Sequence, residues 1–466
     1  MVNLRLADNQ LHGEIPSSLG ALTELAILDL SGNNLDGCIP EELSVFCDFL
    51  FIDNNPQLPW SGAASGFCVS PDAQIGAPCD DEDPSTFDDS INEDCICVGQ
   101  SNQSTCESSD HPDYEALIAL YQSTQGENWT NNEGWLQGAQ GTSCDPCNYN
   151  GAPWYGVTCA GNRVSEIRLG DEFTGEGNNL TGEIPEELFQ LDQLRVLFLD
   201  NNSLSGNIDS AIHNLNRLES LSLSSNDYSG EILQDWGELD RLTYLVLSRN
   251  NFTKLPQVYP SNVQIFRASN NLLVDTIPSS LWSSEFLFEL DLSGNELSGE
   301  LSEDICTSNS IFVVNLSNNR LSGSLPENIS CVPELNLSNN NLSGSLPELL
   351  FINSSLSILN LSNNNLSGPL PELDLSDSEL IQVRLNNNDF AGCFPVDYEP
   401  LCNTNFSFFR VTGNPKLPYQ GDIGQFCNAP SAQIGANCDD GDNETESDVI
   451  QENCDCLGEA LSLIHI

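Results

Sequence analysis

Phe198, Tyr244, Val246, Arg249, Arg267, Asp291 and Arg384 carry the chemistry of molecular recognition. Most lie beside or between two apolar residues spaced two apart, as Phe198 lies between Leu197 and Leu199. In an extended segment such positions face away from the buried side. Aromatic and arginine side chains are the usual anchors of a binding surface. Arginine is scarce here, because the chain has 13 basic against 69 acidic residues and a net charge of -56. The competing reading of this set is unselected surface. A second chemistry is carboxylate ligation. Asp439, Asp440, Asp442 and Asp448 crowd one stretch, and Asp80, Asp81, Asp88 and Asp89 crowd another. Carboxylates suit a hard cation, so calcium is the one cofactor considered. Neither stretch has the spacing and glycine of an EF-hand loop, and acidic runs are usually only solvated. Cys144-x-x-Cys147 has redox or zinc spacing, but no histidine is close in sequence. Catalysis finds no foothold: His12, His111, His213 and His465 are scattered, and no G-x-S-x-G, H-E-x-x-H or phosphate-loop text occurs. The acidic field also repels nucleic acid and anionic membrane surfaces.

What must position the recognition residues is a repeat. Asn178, Asn202, Asn226, Asn250, Asn271, Asn295, Asn319, Asn340, Asn364 and Asn388 share the frame L-x-L-x-x-N-x-L-x-G-x-[IL]-P, spaced 24 or 21 residues apart. This period predicts a leucine-rich-repeat solenoid. The alternating leucines predict one short strand per repeat, stacked into a curved parallel β-sheet with a 3-10 or irregular convex side. One repeat cannot bury its leucines alone, so neighbours complete the core. The ladder asparagines are expected to bond backbone groups of adjacent turns. Asn315, Asn336 and Asn360 form a regular polar column on the open strand face. That column suits a repeating ligand such as a polysaccharide or an ice lattice, or it is drift within near-identical repeats.

The text Asn295-Glu296-Leu297-Ser298-Gly299 and Leu366-Ser367-Gly368-Pro369-Leu370-Pro371 resembles the plant-type extracellular leucine-rich repeats. That family includes receptor ectodomains and polygalacturonase-inhibiting proteins. Pro153-Trp154-Tyr155-Gly156-Val157-Thr158-Cys159 is similar to the W-x-G-V-x-C signature of its N-terminal caps. The resemblance implies bridges Cys106–Cys144 and Cys147–Cys159.

The 18 cysteines are even in number and patterned, which predicts an oxidising, extracellular setting. Cys38, Cys47, Cys68, Cys79, Cys95 and Cys97 recur as Cys393, Cys402, Cys427, Cys438, Cys454 and Cys456. Ala73-Gln74-Ile75-Gly76-Ala77 likewise recurs as Ala432-Gln433-Ile434-Gly435-Ala436. A six-cysteine module therefore follows each of two arrays. Cys38 with Cys47, and Cys393 with Cys402, are near enough to bridge one closing coil. Cys306 and Cys331 are either a cross-coil bridge or two buried thiols. Sequons outside the repeat text, at Asn102, Asn128, Asn405 and Asn443, are the better glycan acceptors.

The expected organisation is 1–60, the end of a first array; 61–100, a cysteine-rich module; 101–110, a linker; 111–163, a cap; 164–418, a solenoid; 419–458, a second module; and 459–466, a tail of doubtful origin. Met1 falls inside a repeat, which suggests a fragment of a longer secreted protein whose signal peptide, and any membrane anchor, lie elsewhere. The expected function is non-catalytic recognition of an extracellular protein or glycan through the concave face, receptor-like or adhesive. The rivals are a secreted inhibitor of a polysaccharide hydrolase and a calcium-binding matrix protein.

Overall fold

The structure, a computed structural model, describes residues 3–71, 73–81, 86–101, 110–135, 144–148, 152–308, 310–352, 354–373, 380–403 and 408–460. It divides into two compact units, Met1–Asp110 with Leu136–Asp145, and His111–Trp135 with Pro146–Ile466.

In the second unit a 12-stranded sheet begins with the antiparallel pair Val157–Cys159 and Val164–Arg168. It continues in parallel through Val196–Phe198, Ser220–Ser222 and Tyr244–Val246 to Phe409–Arg410. The middle residue of each three-residue strand points inward. Leu197, Leu221, Leu245, Phe266 and Leu290 are fully buried and stack one strand apart. Each buried side chain of this kind contributes about 1.5–3 kcal/mol, so stability is spread along the array.

The ladder asparagines do what their amides allow. Asn226 Oδ1 accepts the Leu204 N–H at 2.9 Å, and its Nδ2 donates to the carbonyls of Leu199 at 2.9 Å and Leu223 at 3.2 Å. The same set recurs at Asn250, Asn319 and Asn364. One side chain thus satisfies backbone groups on its own coil and on the coil before it. From Asn202 to Asn388 the residue before each ladder asparagine is left-handed, as at Asn201, Asn270, Asn318 and Asn339. Asparagine tolerates that region better than most side chains, which explains the recurrent Asn-Asn text.

Beyond the ladder the chain forms 3-10 turns such as Glu186–Gln190 and Ser210–Asn214. It also forms short parallel strands. Ser298–Gly299, Arg320–Gly323, Asn341–Gly344, Asn365–Gly368 and Asp389–Phe390 lie side by side. The Leu-Ser-Gly text is therefore strand, not only turn.

The cap helix Tyr114–Ser123 buries Tyr114, Leu117, Ile118 and Tyr121. Tyr121, Trp129, Trp135 and Trp154 pack ring against ring behind it. Asp113, buried at the helix start, pairs with Arg163 at 2.7 Å and accepts the Val164 N–H at 2.7 Å. This contact ties the cap to the first strand of the array.

In the first unit Asn3–Arg5, Ile27–Asp29 and Leu50–Phe51 form a three-stranded parallel sheet over its own leucine core. Each end module is a short helix and a hairpin, Ala64–Val69 with Thr86–Ile91 and Cys97–Ser101, then Ile423–Asn428 with Thr445–Ile450 and Cys456–Ala460. The bridging of the closing coil expected from Cys38 with Cys47 and from Cys393 with Cys402 is not what forms. The pairs are Cys38–Cys95, Cys47–Cys68 and Cys79–Cys97, repeated as Cys393–Cys454, Cys402–Cys427 and Cys438–Cys456. The physical reason is that the module folds back on the solenoid. Its helix carries Cys68 to Cys47, and its hairpin turn carries Cys95 to Cys38, with Cα atoms 5.7 and 5.0 Å apart. Cys147 pairs with Cys159, and Cys306 bridges to Cys331 on the next coil. Cys144 is disulfide-bonded, whereas Cys106 lies outside the described residues.

Candidate functional site

The strand register gathers the expected recognition residues into one column. Phe198 pairs with Ser222, Ser222 with Val246, Val246 with Arg267 and Arg267 with Asp291. The column runs on through Asn315, Asn336 and Asn360 to Arg384 and Arg410. Tyr244 lies in the adjacent column, between Ser220 and Ile265. Arg249 belongs to neither. It occupies the left-handed turn before Asn250, with φ of 56°, and is exposed off the strands.

The upper part of this column is not open. Phe198 is only 9% exposed and Val246 0%. In the other repeats three positions separate the second strand apolar residue from the ladder asparagine, as from Leu199 to Asn202. In the first repeat Leu169 and Asn178 stand nine apart. The surplus is a hairpin, Gly170–Asp171 paired antiparallel with Glu176–Gly177. Its legs press on the next coil: a Cβ on Gly170 would lie 1.9 Å from the Asp200 carbonyl oxygen, and one on Gly177 would lie 1.6 Å from that of Asn201. Only glycine allows that approach. From the hairpin the Glu172 carboxylate accepts from the Tyr244 hydroxyl and from Arg267 Nη1 at 3.1 Å. Arg267 also holds Glu289, through Nε at 2.7 Å and Nη2 at 3.1 Å. Phe198 and Tyr244 are in ring contact at 5.9 Å, and the Arg168 guanidinium sits 4.5 Å over the Phe198 ring.

Glu172, Arg168, Glu289 and Asp200 were not among the expected residues. The break in ladder spacing between Leu169 and Asn178 was the signal that points to the first of them. Asp200 occupies the place that serine takes in most later repeats. It is fully buried, its Oδ1 accepts from the Ser222 hydroxyl and the Ser224 N–H, and its Oδ2 has no partner among the described residues. Burial pushes its pKa up to about 6, against the opposing pull of the Ser222 and Ser224 hydrogen bonds. A carboxyl whose folded pKa exceeds its unfolded value binds more protons in the folded state, so stability falls as pH rises from about 4 to about 6. The group therefore costs roughly 3 kcal/mol above that window, at 1.36 kcal/mol per pKa unit. Denaturant unfolding across pH 4 to 7.5 is expected to show this loss in the parent chain and a flatter profile in Asp200→Asn. Parallel profiles would remove the assignment.

The lower part of the column is half-buried and polar. Asn315, Asn336 and Asn360 turn their Oδ1 back to the hydroxyls of Ser317, Ser338 and Ser362 at 2.8, 2.8 and 2.7 Å. Asp291 does the same with Ser293 at 2.6 Å. Asn-Leu-Ser is thus a local turn motif before it is a sequon. Arg384 and Arg410 close the row, and the buried Arg384 Nε lacks a partner among the described residues.

At the second module Asp439, Asp440 and Asp448 bring carboxylate oxygens within 4.8 Å of one another, as do Asp80, Asp81 and Asp89 at the first. Many of these oxygens already accept local donors. Asp440 takes the N–H groups of Asp442 at 2.8 Å and Gly458 at 2.9 Å, and these bonds hold its carboxyl below the usual range. Asp442 in turn caps Glu444 N at 2.9 Å, away from the trio. His111 Nε2 lies 3.5 Å from the Cys147 sulfur, but that sulfur is already bonded to Cys159. Of the expected glycan acceptors Asn128 and Asn443 are exposed, while Asn102 and Asn405 lie outside the described residues.

The Leucine Rich Repeat family model matches residues 24–46, 193–215, 286–308, 310–332, 334–351 and 355–374. Among solved structures, PEPR1-AtPEP1 is 25% identical over 66% of this chain and 47% of that one, with a TM-score of 0.47. A plant ice-binding protein is 26% identical over 66% and 88%, with a TM-score of 0.46. A TDR receptor is 22% identical over 90% and 63%, with a TM-score of 0.48. The chain thus spans about half the length of the PEPR1-AtPEP1 chain it matches. No curated protein matches. No helix among the described residues is long and apolar enough to cross a membrane. Repeat frame, asparagine ladder, stacked parallel strands and matched repeats agree: the fold is a leucine-rich-repeat solenoid, and its repeats resemble the plant extracellular pattern.

Proposed function

We propose that this chain is a non-catalytic extracellular recognition module, receptor-like or adhesive, that binds a protein or glycan through the concave strand face. The observation that carries the reading is the column itself. One register line unites Phe198, Val246, Arg267, Asp291 and Arg384, and it brings two of the scarce arginines of an acidic chain, Arg267 and Arg384, onto one face. Eight bridges of disulfide geometry among the described residues support an oxidising, extracellular setting. The test is binding of the purified chain to an array of extracellular peptides and cell-wall oligosaccharides. Arg267→Ala with Arg384→Ala is expected to weaken the positive spots by at least about 30-fold, the scale of an interface hot spot of 2 kcal/mol. Unchanged spots would sink the concave-face assignment. A spot pattern confined to a polysaccharide hydrolase, presented as protein, would favour the inhibitor reading.

One observation favours a calcium-binding matrix role as the second reading. The acidic trio recurs in both modules, and in each copy one carboxylate oxygen, Asp89 Oδ1 and Asp448 Oδ1, is buried with no hydrogen-bond partner among the described residues. Calcium at 100 times its dissociation constant is expected to stabilise the modules by about 2.7 kcal/mol. Thermal melts with calcium and with chelator read this directly, and identical melts remove the matrix role.

A further inference from the structure

We propose that the Asp171–Glu176 hairpin is a built-in occupant of the concave face. Glu172 fills a carboxylate subsite formed by Tyr244 and Arg267, and an extended acidic peptide gains that subsite by displacing the hairpin. The proposal rests on the concave-face reading and adds to it where the ligand enters and what it must carry.

The solenoid closes its first coil without the hairpin. Asn202 Oδ1 accepts the N–H groups of Asn178 and Leu180, both at 2.9 Å, and its Nδ2 donates to the Leu169 carbonyl at 3.0 Å. The ladder contacts on both sides of the insertion are therefore intact. Little anchors the hairpin itself. It pairs only two residues with two, and Phe173, its one large apolar side chain, is 75% exposed. Asn201 Nδ2 holds the Asp171 carbonyl at 2.7 Å, and Glu172 supplies the reach across the sheet.

That reach covers three strands. Glu172 starts from the first repeat and meets Tyr244 and Arg267, and the column residues between, Phe198, Ser222 and Val246, are all buried. When Glu172 withdraws, the Tyr244 hydroxyl and Arg267 Nη1 lose their acceptor beside an apolar floor. A ligand carboxylate restores both contacts and keeps the local charge unchanged, with Glu289 still on Arg267 and Asp200 still buried nearby. A neutral group supplies less, and a cationic one faces Arg267. The face already accommodates peptide backbone with an acidic side chain, which favours a peptide over other carboxylate carriers.

Deleting residues 171–176 joins Gly170 to Gly177 and restores the spacing of the later repeats. The probe is a blocked hexapeptide with the sequence of those six residues, added to the full chain. The deletion variant is expected to keep its melting temperature within a few degrees and to bind the peptide at least tenfold more tightly than the parent. Arg267→Ala in that background, or glutamine at the second position of the peptide, is expected to abolish the gain. If the deletion variant does not fold, Glu172→Ala in the full chain serves the same comparison. Equal peptide binding by parent and opened variant overturns the proposal, as does equal binding of the glutamine peptide. Array spots that survive in the opened variant while the hexapeptide fails would overturn the latch and leave the concave-face function standing.

Discussion

Replacing Asn226 by alanine is expected to lower the unfolding free energy of the array by about 2–3 kcal/mol, a larger loss than most substitutions cause. The side chain satisfies the Leu204 N–H and the Leu199 and Leu223 carbonyls in one buried place. Alanine strands the Leu204 N–H and takes one of two donors from each carbonyl, since Asn202 still reaches Leu199 at 3.0 Å and Asn250 still reaches Leu223 at 2.9 Å; a buried polar group left without a partner costs about 1–3 kcal/mol. Water has no easy route in, because the flanking leucines are closed over the site. Asn339→Gly is the matched control. Asn339 is exposed, left-handed, and shares one surface hydrogen bond, from Asn363 Nδ2 at 2.9 Å, so glycine there is expected to cost under about 1 kcal/mol. Urea unfolding followed by circular dichroism measures both. Equal losses would show that the ladder is not the structural spine it is taken to be.

Removing the Cys393–Cys454 bridge as a double serine variant is expected to destabilise the second end module by about 4 kcal/mol. The bridge spans 61 residues, and closing a loop of that length in the unfolded chain accounts for this magnitude. The hairpin part of the module has a small apolar cluster, Ala436, Cys438 and Ile450 with Tyr419 packed against it, while its helix buries Phe426 against Phe394. The readout is limited proteolysis, with rapid cleavage inside residues 422–456 while the solenoid survives. Resistance equal to the parent would show that Cys402–Cys427 and Cys438–Cys456 suffice.

The array was legible because its physics repeats. An amide that must serve two coils can only recur at the coil's own period, so Asn178 to Asn388 announce the fold directly. The same logic placed Phe198, Val246, Arg267 and Arg384 on one face. It failed on exposure, because burial of Phe198 and Val246 depends on a segment that departs from the period, and a periodic reading passes over departures. Arg249 was misplaced by one turn, since backbone handedness rather than alternation governs the position before a ladder asparagine. The cysteine partners of the end modules were illegible for a different reason, whereas Cys147–Cys159 forms as the resemblance implied. Spacing constrains neighbours along the chain, whereas Cys95 reaches Cys38 through a fold-back that no spacing encodes. The Asn-Leu-Ser column reads from sequence as a match to a repeating ligand or as drift, and only the hydroxyl contacts of Ser317, Ser338 and Ser362 reveal the local turn it makes.

The repeated Ala-Gln-Ile-Gly-Ala text has a further consequence. Gln74 Oε1 accepts the Ile39 N–H at 2.6 Å and its Nε2 donates to the Ile39 carbonyl at 2.7 Å, and Gln433 makes the same pair with Phe394 at 2.7 and 3.1 Å. A single primary amide thus imitates the donor and acceptor of one more coil. Growth of the array stops there without a dedicated final repeat, and because the amide reads only backbone, the same plug fits any coil whatever its side chains. Such an ending is portable: a gene can gain or lose coils upstream, or splice whole arrays in series, and each length arrives already terminated.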